Sequence, residues 1–201
     1  MAPQYFGVIT RLIEEEALPV DKFGHQPRLE ALTRLIGKSL SYDHEIVWAA
    51  AWLHDLGVFY GNRPQDPNDL ARWDHVAYAC GRAPQILRDA GFPELKIPAV
   101  LEVIRQHQPK DEPVSMEATI LRDADILEQL GAIGILRTVS KVGRDTRFPR
   151  FTDAVSVLRR NLVELPPKLR LESARRLAQP RLQTLSLFLD AVEAENGALL
   201  L

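Results

Sequence analysis

The chain has 201 residues, 46% hydrophobic and 26% charged, with a formal net charge of -2 and a pI near 6.2. That composition supports one compact domain over 1–201 and gives no basic surplus for a nucleic-acid polymer. Cys80 is the single cysteine, so no internal disulfide forms, and no apolar run approaches bilayer length, so no membrane partner is expected.

Residues 3–16 repeat Phe6, Ile9, Leu12 and Ile13 at helix spacing. The opening Met-Ala-Pro-Gln-Tyr-Phe lacks the basic region and apolar core of a signal peptide, so a cytoplasmic location is expected. A second helix is predicted over 22–39, with His25, Leu29, Leu32 and Ile36 on one face. Asp43 is placed to cap the next helix. His44, in its first turn, stands about 15 Å along the axis from His54 and reads as an exposed surface residue.

That helix ends in Ala49-Ala-Ala-Trp-Leu-His-Asp-Leu-Gly57, on which the rest of the chain is organised. Val47, Ala50, Ala51 and His54 share a stripe, Asp55 follows one residue round, and Gly57 reads as the stop. An imidazole beside a carboxylate in apolar surroundings is costly unless both are satisfied. A divalent metal ion satisfies both, as does a His–Asp hydrogen bond in a core.

A polar loop follows over 59–70, with Pro64 and Pro67. A helix starting near Asp69 carries His75, and Pro84 should kink or restart it. Gly91-Phe-Pro93 closes that segment. The next helix, about 94–107, puts Ile97, Val100, Ile104 and His107 on one face. One long helix is predicted over 117–142, containing Arg122-Asp-Ala-Asp125. The segment 144–151 is basic and shows no helical pattern, so it reads as a lid or an interaction loop. Helices over 152–164 and 171–195 follow, separated by Pro166-Pro167. No strand pattern is present, and the fold class expected is all-α, with a core over 21–142 and C-terminal helices over 152–195.

A histidine alone on an apolar face is usually a satisfied core residue. Three such histidines on separate helices, with a His–Asp pair and an Asp-Ala-Asp, point instead to metal ligation. Imidazole with carboxylate suits Fe, Mn, Zn or Ni better than Mg alone. Six such groups are enough for two ions with one bridging carboxylate, which can activate a shared water and neutralise a phosphate. Two residues apart is about 200° of helix, so Asp123 and Asp125 cannot both face one site.

The order His25, His54-Asp55, His75, His107, Asp125 resembles the HD-domain metal-dependent phosphohydrolase superfamily in its six-ligand form. Leu121-Arg-Asp-Ala-Asp-Ile-Leu-Glu-Gln-Leu-Gly-Ala-Ile-Gly-Ile-Leu-Arg137 resembles the last motif of small bacterial members. Glu172-Ser-Ala-Arg-Arg-Leu-Ala178, with Arg181, Phe188 and Glu193, resembles their C-terminal helix. The resemblance implies an HD-type helical bundle holding two divalent ions (Fe, Mn, Ni, Zn or Mg). His25, His54, Asp55 and Asp125 would hold the first ion, with Asp55 bridging, and His75 and His107 the second. Asp125 rather than Asp123 takes the family's ligand position. Asp55 and His54 are then the catalytic centre, and metal-bound hydroxide would attack a small phosphorylated substrate, with a nucleotide among the candidates. Arg28, Arg122 and Arg137 are candidates for binding its phosphate. The residue types also match HD-type di-iron oxygenases, and a non-catalytic metal-binding HD protein is the third reading. Leu56-Gly-Val-Phe59 is more apolar than the segment that often follows the motif in the family.

Overall fold

A computed structural model describes residues 3–19 and 22–196. Among these, all regular structure is helical, with no strand. It packs as two compact units, residues 1–122 and 123–201.

The first unit holds α1 (Gln4–Glu16), α2 (His25–Gly37), α3 (His44–Leu53), α4 (Pro67–Arg72), α5 (His75–Asp89), α6 (Ile97–Arg105) and the first half of α7 (Met116–Glu128). Its centre is α3. Every residue from Val47 to Leu53 is buried, so α3 has no solvent face over its last two turns. Such a helix must be covered on all sides, and α1, α2 and α6 do this. Burying side chains such as Leu53 and Leu56 contributes about 1.5–3 kcal/mol each. The start of α3 is capped as expected, with Asp43 Oδ1 accepting from the amides of Glu45 and Ile46.

Glu30 of α2 ties the two helices together. Its Oε2 accepts the indole N–H of both Trp48 and Trp52, while Arg34 donates to Oε1. α1 is pinned by the Tyr5 hydroxyl, which donates to Glu45, and Lys96 lies against Glu45 and Asp43. Burial and that anionic neighbour push the Tyr5 phenol well above its ordinary range.

His44 is half-buried rather than exposed, its ring 6.3 Å from that of Tyr42. Burial, with Arg34 nearby, pulls its pKa down. The segment predicted to start near Asp69 is two helices. Asp66 caps the short α4, Trp73 leaves it in extended backbone, and Asp74 caps α5 by accepting from Ala77 N–H. His75 is therefore the first residue of its helix. α5 neither restarts nor ends at Pro84, because the Ala79, Ala83, Leu87 face is buried and α5 packs on α6. It ends on Gly91 at φ +78, with Gly91 and Phe92 amides returning to Arg88 and Leu87 carbonyls.

The second unit holds the end of α7, α8 (Gly131–Val139), α9 (Phe151–Glu164) and α10 (Glu172–Asn196). The continuous helix predicted over 117–142 is broken at Gln129-Leu130. Gly131 stands at φ +68, and a Cβ there would meet Arg181 atoms at 3.0–3.1 Å. Apolar residues on both sides keep helix spacing across the break, which hides it from a periodicity reading. In the 144–151 segment, Phe148 is buried and Arg147 pairs with Asp145 at 2.7 Å.

Candidate metal centre

α3 delivers the site and then stops. His54 is its C-terminal cap, and Asp55 lies outside it at φ -96, ψ 11, in the sparsely populated bridge region. A 3-10 turn, Leu56–Val58, follows. Gly57 is not a left-handed helix stop. Its need is space: an added Cβ would lie 2.6 Å from the His75 carbonyl oxygen and 2.7 Å from its Cα. A glycine there lets the turn carrying Asp55 press against the first residue of α5. Trp73 reinforces this junction by donating its indole N–H to the Gly57 carbonyl.

Within the first unit, four predicted residues converge. His25 Nε2 and His54 Nε2 are 3.4 Å apart. The Asp55 carboxylate is 3.5 Å from His54 Nε2 and 3.7 Å from His25 Nε2. The His107 ring centroid is 4.8 Å from that of His54. One donor atom from each of His54, Asp55 and His107 lies within 4.8 Å of the others. His75 is half-buried, its ring centroid 6.0 Å from that of His107.

The imidazoles are set up as ligands. His54 Nδ1 lies 3.0 Å from the Ala51 carbonyl, and His107 Nδ1 lies 2.6 Å from the Ile104 carbonyl. A carbonyl oxygen only accepts, so each Nδ1 carries the proton. In the neutral ring, Nε2 then presents a lone pair. Both tethers reach three residues back to a helix carbonyl, so the helix end itself fixes the ring. Burial opposes ionisation of Asp55, yet His54, His25, Lys22 and His107 hold its carboxyl well below the usual carboxylate range. Buried nitrogen lone pairs gathered round a carboxylate are poor partners for one another. A divalent cation accepts all of them at once, and the donor set fits one.

The other candidates sit as follows. Arg28 is half-buried on α2, one turn after His25. Arg122 is buried and donates through Nη2 to the Pro109 carbonyl at 3.1 Å. In the second unit, Arg137 pairs with the buried Glu128 at 3.2 Å. Asp125 is half-buried on α7, with Gln129 Nε2 3.2 Å from its carboxylate. Asp123 is fully buried, and its carboxylate accepts the amides of Arg170 and Leu171 just ahead of α10.

Lys22 and Gln108 are participants that the sequence pattern did not single out. Gln108 Nε2 lies 3.3 Å from His75 Nε2. The only sequence signal for Gln108 is its place directly after His107. The loop after Asp55 is also held by a network that composition does not reveal. Asn62 donates to the Leu56 carbonyl and to Glu16, and Arg82 pairs with Glu16 at 2.8 Å.

Several solved structures share this fold. YpgQ of Bacillus subtilis, solved in complex with ADP, matches at 23% identity and a TM-score of 0.72, covering 98% of this chain and 96% of its own. Lin1889 of Listeria innocua matches at 20% and 0.71, covering 95% and 96%. A HD-superfamily hydrolase of Bacillus thuringiensis matches at 21% and 0.69, covering 96% and 97%. At these identities the likeness establishes the fold. No curated protein matches in sequence. The family model for the HD domain matches residues 23–130, more than half of the chain, and spans every histidine of the cluster and Asp125. The chain belongs to the HD domain family.

Proposed function

We propose that the protein is a metal-dependent phosphohydrolase that cleaves a phosphate ester or anhydride of a small molecule, with a nucleotide as the leading substrate class. The observation that carries this reading is the buried cluster of His25, His54, Asp55 and His107, with two rings tethered so that Nε2 is available. The ADP complex of YpgQ supports the nucleotide class.

His25, His54, Asp55 and Asp125 would hold one ion and His75 and His107 a second, with Asp55 shared. When bound, such ions supply Lewis acidity, which makes a water nucleophilic near neutral pH and offsets phosphate charge. The chain's own contribution is preorganisation. The Ala51 and Ile104 carbonyls hold two imidazoles in one tautomer and one orientation. Against the effect of burial, the groups round Asp55 favour its ionised form, His54 foremost. Arg28, Arg122 and Arg137 are the candidate phosphate ligands. Arg122 and Arg137 already serve the Pro109 carbonyl and the Glu128 carboxylate, so binding phosphate through them means sharing those bonds.

The test is metal analysis of protein purified without added metal, then assay of phosphate and pyrophosphate release from a nucleotide panel under air and under nitrogen. Release that needs metal, stops with chelator and ignores oxygen is the expected result. Substrate turnover that consumes oxygen and releases no phosphate would overturn it in favour of oxygenase chemistry.

A further inference from the structure

His75 differs from His54 and His107 in what its Nε2 faces. It lies 3.3 Å from the side-chain amide of Gln108. That spacing is close to those inside the cluster, 3.4 Å between the His25 and His54 nitrogens and 3.5 Å between His54 and Asp55. Two donor atoms sharing a cation at bonds of about 2.0–2.2 Å stand roughly 3.0–3.5 Å apart. An amide at 3.3 Å can hydrogen-bond the ring nitrogen or, about a shared cation, stand as its co-ligand.

The backbone holds it there. Gln108 N–H donates to Asp111 Oδ2 at 2.9 Å, and Asp111 N–H returns to the Gln108 carbonyl at 2.9 Å. This closed turn begins directly after the tethered His107. Consecutive residues thus serve two directions, His107 towards His54 and Asp55, Gln108 towards His75. The amide nitrogen faces His75, and half a turn about the terminal torsion presents Oε1 to the same space. That torsion is soft and close to two-fold, so the exchange is inexpensive.

We infer that Gln108 is a further metal ligand, its amide oxygen joining His75 on the second ion; the inference rests on the metal-dependent reading above. Each ion would have two imidazoles and the shared Asp55, but Gln108 adds a neutral oxygen to the second where Asp125 would add a charged one to the first. The two ions therefore bind unequally. The second, with fewer charged ligands, is the weaker and more exchangeable.

The experiment is calorimetric titration of metal-stripped protein with Mn2+, for the wild type, Gln108→Ala and Gln108→Glu, with far-UV circular dichroism on each. The wild type should show a tight and a weak ion. Gln108→Ala should weaken the weak ion about tenfold and leave the tight one unchanged. Gln108→Glu places a charged oxygen at the same spot and should tighten the weak ion. Tightening is a gain that misfolding cannot produce, so this variant decides the matter if Gln108→Ala is unstable. Two wild-type ions unaffected by either variant would overturn the role of Gln108 and leave the hydrolase reading standing. A single wild-type ion would do the same. No Mn2+ binding at all would remove the metal reading and this inference together.

Discussion

Two shielded carboxylates, one in each unit, are satisfied in opposite ways. Asp123 accepts backbone amides from Arg170 and Leu171, in bonds of 3.0 and 2.8 Å that end its availability. It is part of the fold, tying α7 to the start of α10. Asp55 sits at 3.5–3.7 Å from imidazole nitrogens, longer than good hydrogen bonds, with its carboxyl held below the usual range against the effect of burial. A buried charge bound by close amide bonds is structural. One left at ligand-like distance among histidines has the surroundings that suit a bound cation.

The sharpest way to break this comparison is to remove each carboxylate. Asp55→Ala should lose nearly all bound metal, measured by metal analysis of purified protein. Asp123→Ala should keep its metal in the folded fraction but lose about 1–3 kcal/mol of stability by urea unfolding, since two part-buried amide bonds to a charged acceptor are lost. Equal metal loss from both would mean that Asp123 belongs to the site.

The next effect is one-sided. His75→Ala and His107→Ala should stay folded, retain about one ion per chain and lose most phosphate release. Full metal and full activity in both would make the site mononuclear. Smaller is Gly57→Ala. Its Cβ would collide with the His75 backbone at 2.6–2.7 Å, and relaxation should cost about 1–3 kcal/mol in thermal or urea unfolding. An unchanged midpoint would show that the turn yields freely.

A weaker prediction concerns pH. Arg82 holds the Glu16 carboxyl below its ordinary value, so the pair stabilises the fold above the ordinary carboxylate range, and that contribution fades as pH falls through the lowered value. Both side chains are partly exposed, so Glu16→Gln should cost at most about 1 kcal/mol at pH 7, and the two melting curves should converge in acid. The smallest change is expected from His44→Ala, with metal content unaltered.

Local chemistry explains what the sequence made legible. Asp43 before an apolar run announces a cap because a short carboxylate reaches the first free amides. The opposed facing of Asp123 and Asp125 follows from helix rotation. What Asp123 does was hidden, since its partners are amides 47 and 48 positions away. The break at Leu130 was hidden because apolar spacing runs through it, and the split at Trp73 because only two extended residues, Trp73 and Asp74, part the helices. Gln108 carries no signal beyond its place after His107, and only the folded turn brings it to His75.

The indole pair on Glu30 has a practical side. All 3 tryptophans and all 4 tyrosines of the chain lie before residue 79, within the first unit, whereas residues 123–201 contain neither. Intrinsic ultraviolet emission therefore watches one unit only. Trp48 and Trp52 share a charged acceptor two turns or less from His54, and Trp73 is bonded to the turn after Asp55, so emission should also respond when an ion enters. Backbone dichroism sees both units. A denaturation curve followed by both signals therefore separates a chain that melts in one step from a chain that melts in two.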